Sequence, residues 1–92
     1  MKFMECAVRD VIYGTNVRIV KPVNIYECEL RDNVFVGPFV EIQKGCVIGS
    51  GAIILSPYIC SGAVIGAGSV VVKPIENKGI YAGNPARLLR IL

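Results

Sequence analysis

Residues 46–72 read CVIGSGAIILSPYICSGAVIGAGSVVV, a run of 27 residues without one charged side chain. About 20 apolar residues are enough to cross a bilayer, so the first question is whether this is a membrane helix. Gly49, Gly51, Gly62, Gly66, Gly68 and Pro57 would weaken or kink a helix here, while the many Val and Ile suit strands. The answer lies in a period that extends beyond the run.

Triplets of a small residue, any residue and an aliphatic one recur at Val17/Ile19, Val23/Ile25, Cys28/Leu30, Val34/Val36, Val40/Ile42, Cys46/Ile48, Ala52/Ile54, Ala63/Ile65 and Ser69/Val71. Ile59 joins the series with Pro57 at its small position. The anchors 19, 25, 30, 36, 42, 48, 54, 59, 65 and 71 are spaced by 6, 5, 6, 6, 6, 6, 5, 6 and 6. A fixed period held this long is a repeat architecture. A spacing of two within each triplet puts both side chains on one side of a strand. Six residues would turn a helix by about 600°, so successive anchors would leave any helical stripe. Short corners such as RDN, SG and AG follow the anchors and accept positive φ. Each hexad is therefore a short strand plus a bend, and the hexads stack as a parallel β-helix.

Composition agrees with a regular core. The chain has 92 residues, 53% hydrophobic, with a mean hydropathy of +0.57 and a net charge of +3. Residues 1–44 balance six basic against six acidic side chains; Lys73, Lys78, Arg87 and Arg90 against Glu76 supply the excess. That basic end suits a small anionic ligand or is a solvated tail. Aromatic and basic residues do not interleave, which argues against nucleic acid as a partner. The opening MKFMECAVRD lacks a signal-like apolar segment, so the cytoplasm is the expected location, with no membrane partner. Cys6, Cys28, Cys46 and Cys60 form no CxxC and histidine is absent, so no metal is expected. Cys28 and Cys46 fill the small inward slot and read as core thiols.

AVIGAGSVVVKPI (63–75) followed by IYAGNPARLLRIL (80–92) resembles the closing coil and tail of the hexapeptide-repeat acyltransferases. VNIYECELRDNVFVGPFVEIQKG (23–45) is similar, more narrowly, to the N-acetyltransferases that act on UDP-linked amino sugars in O-antigen lipopolysaccharide synthesis. The resemblance implies an all-β, left-handed parallel β-helix with three hexads to a coil. The anchors then stack as Ile19–Val36–Ile54–Val71, Ile25–Ile42–Ile59 and Leu30–Ile48–Ile65, with an earlier rung around Tyr13. Residues 1–80 form the helix of about three to four coils, with residues 1–12 capping its first end. Residues 81–92 form a tail in which PARLLRIL reads as a short helix. The chain is much shorter than the sugar enzymes, and Pro57 stands about where their longer rung carries histidine.

What the resemblance implies for function follows residue by residue. Acetyl-CoA, as co-substrate, would lay its pantetheine arm along Gly66–Ala67–Gly68–Ser69, although these residues also suffice simply to turn a corner. Lys73, Arg87 and Arg90 would meet its phosphates, and Asn84–Pro85 would support the adenine or form a turn. No catalytic residue is assigned. Without histidine, the acceptor expected is an amine, an amino sugar or nucleotide-linked amino sugar, rather than a hydroxyl. A homotrimer is expected, with Ile53, Leu55 and Val64 at the interface. A scaffold that binds without turnover, or a purely structural β-helix, fits the same residues.

Overall fold

A computed structural model describes residues 7–92. Its first coil carries β1 (Ala7–Arg9), β2 (Ile12–Tyr13) and β3 (Arg18–Ile19). The second has β4 (Val23–Tyr26), β5 (Glu29–Leu30) and β6 (Phe35–Val36); the third has β7 (Val40–Ile42), β8 (Val47–Ile48) and β9 (Ile53–Ile54). Next come β10 (Tyr58–Ile59), β11 (Val64–Ile65) and β12 (Val70–Val71). A closing pair follows, β13 (Gly79–Gly83) and β14 (Ala86–Ile91).

Three sheets result: β1-β4-β7-β10 (sheet A), β14-β13-β11-β8-β5-β2 (sheet B) and β12-β9-β6-β3 (sheet C). Every pairing between coils is parallel, and the register stacks Ile19–Val36–Ile54–Val71, Ile25–Ile42–Ile59 and Tyr13–Leu30–Ile48–Ile65 as the anchors require. This is a β-solenoid of about four turns, consistent with the left-handed β-helix that the resemblance implies. Val23, Ile25, Leu30, Val36, Ile42, Ile48, Ile54 and Ile59 are wholly buried. Cys28 and Cys46 sit among them as expected. No helix is long and apolar enough to cross a membrane among the described residues.

Three expectations are corrected. PARLLRIL is not a helix: Ala86–Ile91 is strand β14, antiparallel to β13. A helix of eight residues has a costly nucleus and too few bonds to offset it, whereas the open edge of β13 offers unpaired amides and carbonyls. Gly79 permits the approach, since a Cβ there would stand 2.8 Å from the Arg90 carbonyl oxygen. Gly83, at φ +104°, leads into the two-residue turn Asn84–Pro85. Pro57 does not fill an interior slot. It is exposed, and Ser56 is buried in its place, its hydroxyl donating to the Tyr58 carbonyl at 3.0 Å and accepting the Tyr58 amide at 3.2 Å. The anchor series also runs one step further, because Ile75 bridges to Ile59 and is buried. Of the expected N-terminal cap, residues 1–6 lie outside the described residues, and β1 stacks on β4 as part of the first coil.

The corner between sheets B and C shows how coils turn. Asn16, Asn33, Gly51 and Gly68 occupy equivalent places with φ between 59° and 74°, the left-handed region that Gly and Asn tolerate best. Asn16 Nδ2 donates to Asn33 Oδ1 at 3.1 Å. Gly49 has a different reason to be glycine: a Cβ would lie 2.6 Å from the Ala67 nitrogen of the next coil. At Gly68 nothing lies within 4 Å of an added Cβ. Gly68→Ala should therefore cost only the strain of its φ, about 1–2 kcal/mol, and Gly68→Asn less. Gly49→Ala should cost clearly more than either in urea unfolding. Equal losses at the two glycines would contradict this packing.

Candidate functional site

Residues paired across a sheet lie on the same face. On the outer face of sheet B the register sets Ile12, Glu29, Val47, Val64 and Ile80 in one column. Two residues further on comes a second column: Gly14, Arg31, Gly49, Gly66 and Ala82. The amides of Gly14, Arg31, Gly49 and Gly66 each donate to the neighbouring coil at 2.7–2.9 Å.

β14 closes these columns with arginine. Arg90 pairs with Ile80 and Arg87 with Ala82, and a bulge between Ile80 and Tyr81 absorbs one residue of β14. Residues three apart on a regular strand face opposite ways. The bulge puts Arg87 and Arg90 on one face, the face that carries Val64 and Ile80.

The expected Gly66–Ala67–Gly68–Ser69 segment forms the corner between β11 and β12 and lies against the β13–β14 turn. Ser69 is buried, and its Oγ accepts the Gly83 amide at 3.2 Å. A Cβ on Gly66 would stand 3.0 Å from the Ala82 Cβ. The structure thus brings this corner, Asn84–Pro85 and the two arginines to one end of sheet B. It does not bring Lys73 to them: that lysine follows β12, at the other border of sheet C. Most of the corner amides are already bonded. Those of Gly66, Gly68 and Ser69 donate to Tyr81, Ser50 and Gly66 carbonyls. Ala67's has no backbone acceptor among the described residues.

Below the corner a shallow groove of about 310 Å³ runs along sheet B between Arg31, Val47, Gly49, Ser50, Val64 and Ala67. Val64, expected at a subunit interface, lines this groove. A larger cleft of about 420 Å³ lies at the corner of sheets A and B, between Lys44 and Lys78. The Lys78 stem lies over Gly62 there. None of the expected site residues reaches that cleft. Arg31 was not expected at the site. Its Nε donates to Glu29 Oε2 at 2.7 Å, and the spacing of two on one strand was the available signal. No group of three His, Cys, Asp or Glu is placed to hold a metal among the described residues.

Residues 27–57 match the family model described as bacterial transferase hexapeptide (six repeats). Within those residues the chain carries the repeat that this model describes. No curated protein matches it. Among solved structures it is similar to the acetyltransferase domain of PglB from Neisseria gonorrhoeae FA1090, at 24% identity and a TM-score of 0.42. That match covers 87% of this chain and 52% of the other, so this chain spans about half the length of the structure it matches.

The buried thiols are not nucleophiles. Burial, with Cys46 close by, pushes the Cys28 thiol up to about 12; burial pushes Cys46 up to about 11 against a lowering backbone hydrogen bond. Cys60 is raised as well, again by burial. An unfolded thiol loses its proton near 8.5, while the folded ones keep theirs. Stability should therefore fall as pH rises from about 8.5 towards the folded values. Replacing Cys28 with Val, the residue used in equivalent slots, should flatten that slope in urea titrations between pH 8 and 10.5. An unchanged slope would mean that Cys28 is not held neutral by the core.

Proposed function

We propose that the protein is an acetyltransferase that carries the acetyl group of acetyl-CoA to a small amine, along the outer face of sheet B. The observation that carries this reading is the pair Arg87 and Arg90, turned to one face by a bulge beside the locked Gly66–Ser69 corner. Guanidinium groups suit phosphate oxygens bidentately. With the CoA phosphates on this pair, the pantetheine arm follows the groove past Ala67, whose amide has no backbone acceptor among the described residues.

The amine nitrogen bonds to the acetyl carbonyl carbon, the carbon–sulfur bond breaks, and the amine's proton leaves to solvent as CoA departs as thiolate. Histidine, the natural base near neutral pH, is absent. An amine with a pKa of about 7.7–8.0 is partly unprotonated already and attacks unaided once positioned. An amino sugar, free or nucleotide-linked, is the favoured acceptor, in keeping with the O-antigen resemblance and a cytoplasmic setting. The missing histidine and the neutral core thiols favour a second reading, a hexapeptide-repeat scaffold that binds CoA without turnover.

A homotrimer completes this reading. Sheet C and its border with sheet A expose Val20, Phe39, Ile53, Leu55 and Val72 at 42, 63, 38, 52 and 46%. Phe39 also holds φ +61°, a conformation that costs a bulky residue about 1–2 kcal/mol. A phenyl kept exposed at that cost fits a contact with a neighbouring copy. Threefold closure would let each prism use this face and help wall a neighbour's groove.

Two measurements test the proposal. Arg87→Ala should weaken CoA about tenfold or more, the loss expected of a charge-assisted hydrogen bond. It should weaken dephospho-CoA less, with affinity falling as salt rises; equal losses without salt dependence would make the arginine a solvated residue. Transfer to amino sugars should exceed transfer to matched hydroxyl sugars, and absence of both would leave the scaffold reading. For the assembly, Phe39→Gly should relieve backbone strain yet shift the trimer towards monomer in sedimentation. A trimer unaffected by Phe39→Gly and Leu55→Glu would place the interface elsewhere.

A further inference from the structure

The last strand leaves one of its sides unpaired. β14 is the longest strand among the described residues, six residues against two to four in the coils. It stands at the edge of sheet B, with β13 as its one neighbour. An edge strand turns every other N–H and C=O away from the sheet, a template for one more strand. The side chains along that edge are largely apolar. Leu89 and Ile91 are exposed by 67 and 72%, and Leu88 and Leu92 are exposed too.

Bulges and charged side chains guard such edges, and β14 has both. The bulge passes over Leu89, so that Leu88 pairs with Tyr81 and Arg90 with Ile80. Leu88 and Ile91, paired with Tyr81 and Gly79, lie on the face away from the arginines. Between residues 77 and 92 the charged side chains are Lys78, Arg87 and Arg90, with no Asp or Glu. The one ion pair among the described residues is that of Arg31 with Glu29, so none of these three cations is matched there.

The cations decide what fits the edge. If β14 paired antiparallel with β14 of a second copy, centred on Leu88 and Leu89, each Arg87 would face an Arg90. Like charges directly opposite destabilise a sheet, and opposite charges stabilise it. The arginines thus guard the edge against its own kind and favour a strand with carboxylates at those places. We infer that the free edge of β14 takes an extended acidic segment of another protein, which adds to sheet B as a seventh strand. Its carboxylates stand two residues apart, the spacing that Ile80 and Ala82 have opposite the same arginines on β13. The aliphatic residues between them meet Leu88 and Ile91 on the other face. Backbone bonds give the affinity, and the arginines select the charge. This goes beyond acetyl transfer and holds without it.

The test is fluorescence anisotropy with a labelled, end-blocked hexapeptide of alternating glutamate and valine. CoA is left out, because its phosphates would draw on the same arginines. The glutamate peptide should bind at least tenfold tighter than a lysine–valine peptide of the same length, with affinity falling as salt rises. Methylating every amide nitrogen keeps the carboxylates but removes the donors, and should cost at least tenfold. In the double variant Arg87→Glu, Arg90→Glu the order of the two peptides should reverse, with circular dichroism to show that the fold persists. The peptide arms need only the wild-type protein, so they decide even if that variant unfolds. No binding of the glutamate peptide, equal binding of both peptides, binding that survives methylation, or an unchanged order in the folded variant would each overturn the inference. An end-blocked copy of residues 85–92 that binds tighter than the glutamate peptide would make the occupant a second copy, and would overturn it as well.

Discussion

The constraint on which this structure depends is register. Each coil must return, 17 or 18 residues later, to the columns of the coil before it, as Ile19 to Val36 and Val36 to Ile54 do. A slip of one residue would turn every inward aliphatic outward. The wholly buried Val23, Ile25, Leu30, Val36, Ile42, Ile48, Ile54 and Ile59 show how completely that rule is obeyed. Hydrogen bonds between neighbouring coils follow from the same register, and so does the crowding that makes Gly49 a glycine.

Register leaves the outward residues and the corners comparatively free, and the charged side chains are found there. Along the outer face of sheet B, the repeat alone calls for alternating aliphatic and small residues. The departures are the charged pair Glu29 and Arg31 in the second coil and the bulged β14 at the end. In the first, Arg31 adds a side chain where its neighbours have none. The second breaks strand alternation so that Arg87 and Arg90 share a face. Both departures put cations on one surface, and neither serves the core.

The stacking was legible in the sequence because inward side chains carry it: hydrophobic period and coil register are the same fact seen twice. The Gly66–Ser69 corner and its nearness to Asn84–Pro85 followed from resemblance, and a hydrogen bond from Gly83 to Ser69 now accounts for it. β14 was not legible. Leu88, Leu89, Ile91 and Leu92 show neither clean alternation nor a full helical stripe, and a bulge hides the strand period. Only the open edge of β13, a feature of the folded chain, decides that segment. Ser56 for Pro57 was missed because the interior there is lined by a hydroxyl bonded to its own backbone, which no hydrophobic pattern reveals. Arg31 with Glu29 could have been found from their spacing, but not the groove that Arg31 lines.

The central claim is that sheet B's outer face, between Arg31 and the Arg87–Arg90 pair, is where the protein works. A crystal structure of the protein soaked with CoA tests it most directly. The account predicts phosphate density beside Arg87 and Arg90, with the pantetheine arm past Ala67 and the thiol pointing towards Arg31. CoA bound at the Lys44–Lys78 corner, or an empty sheet B face at saturating CoA, would contradict it.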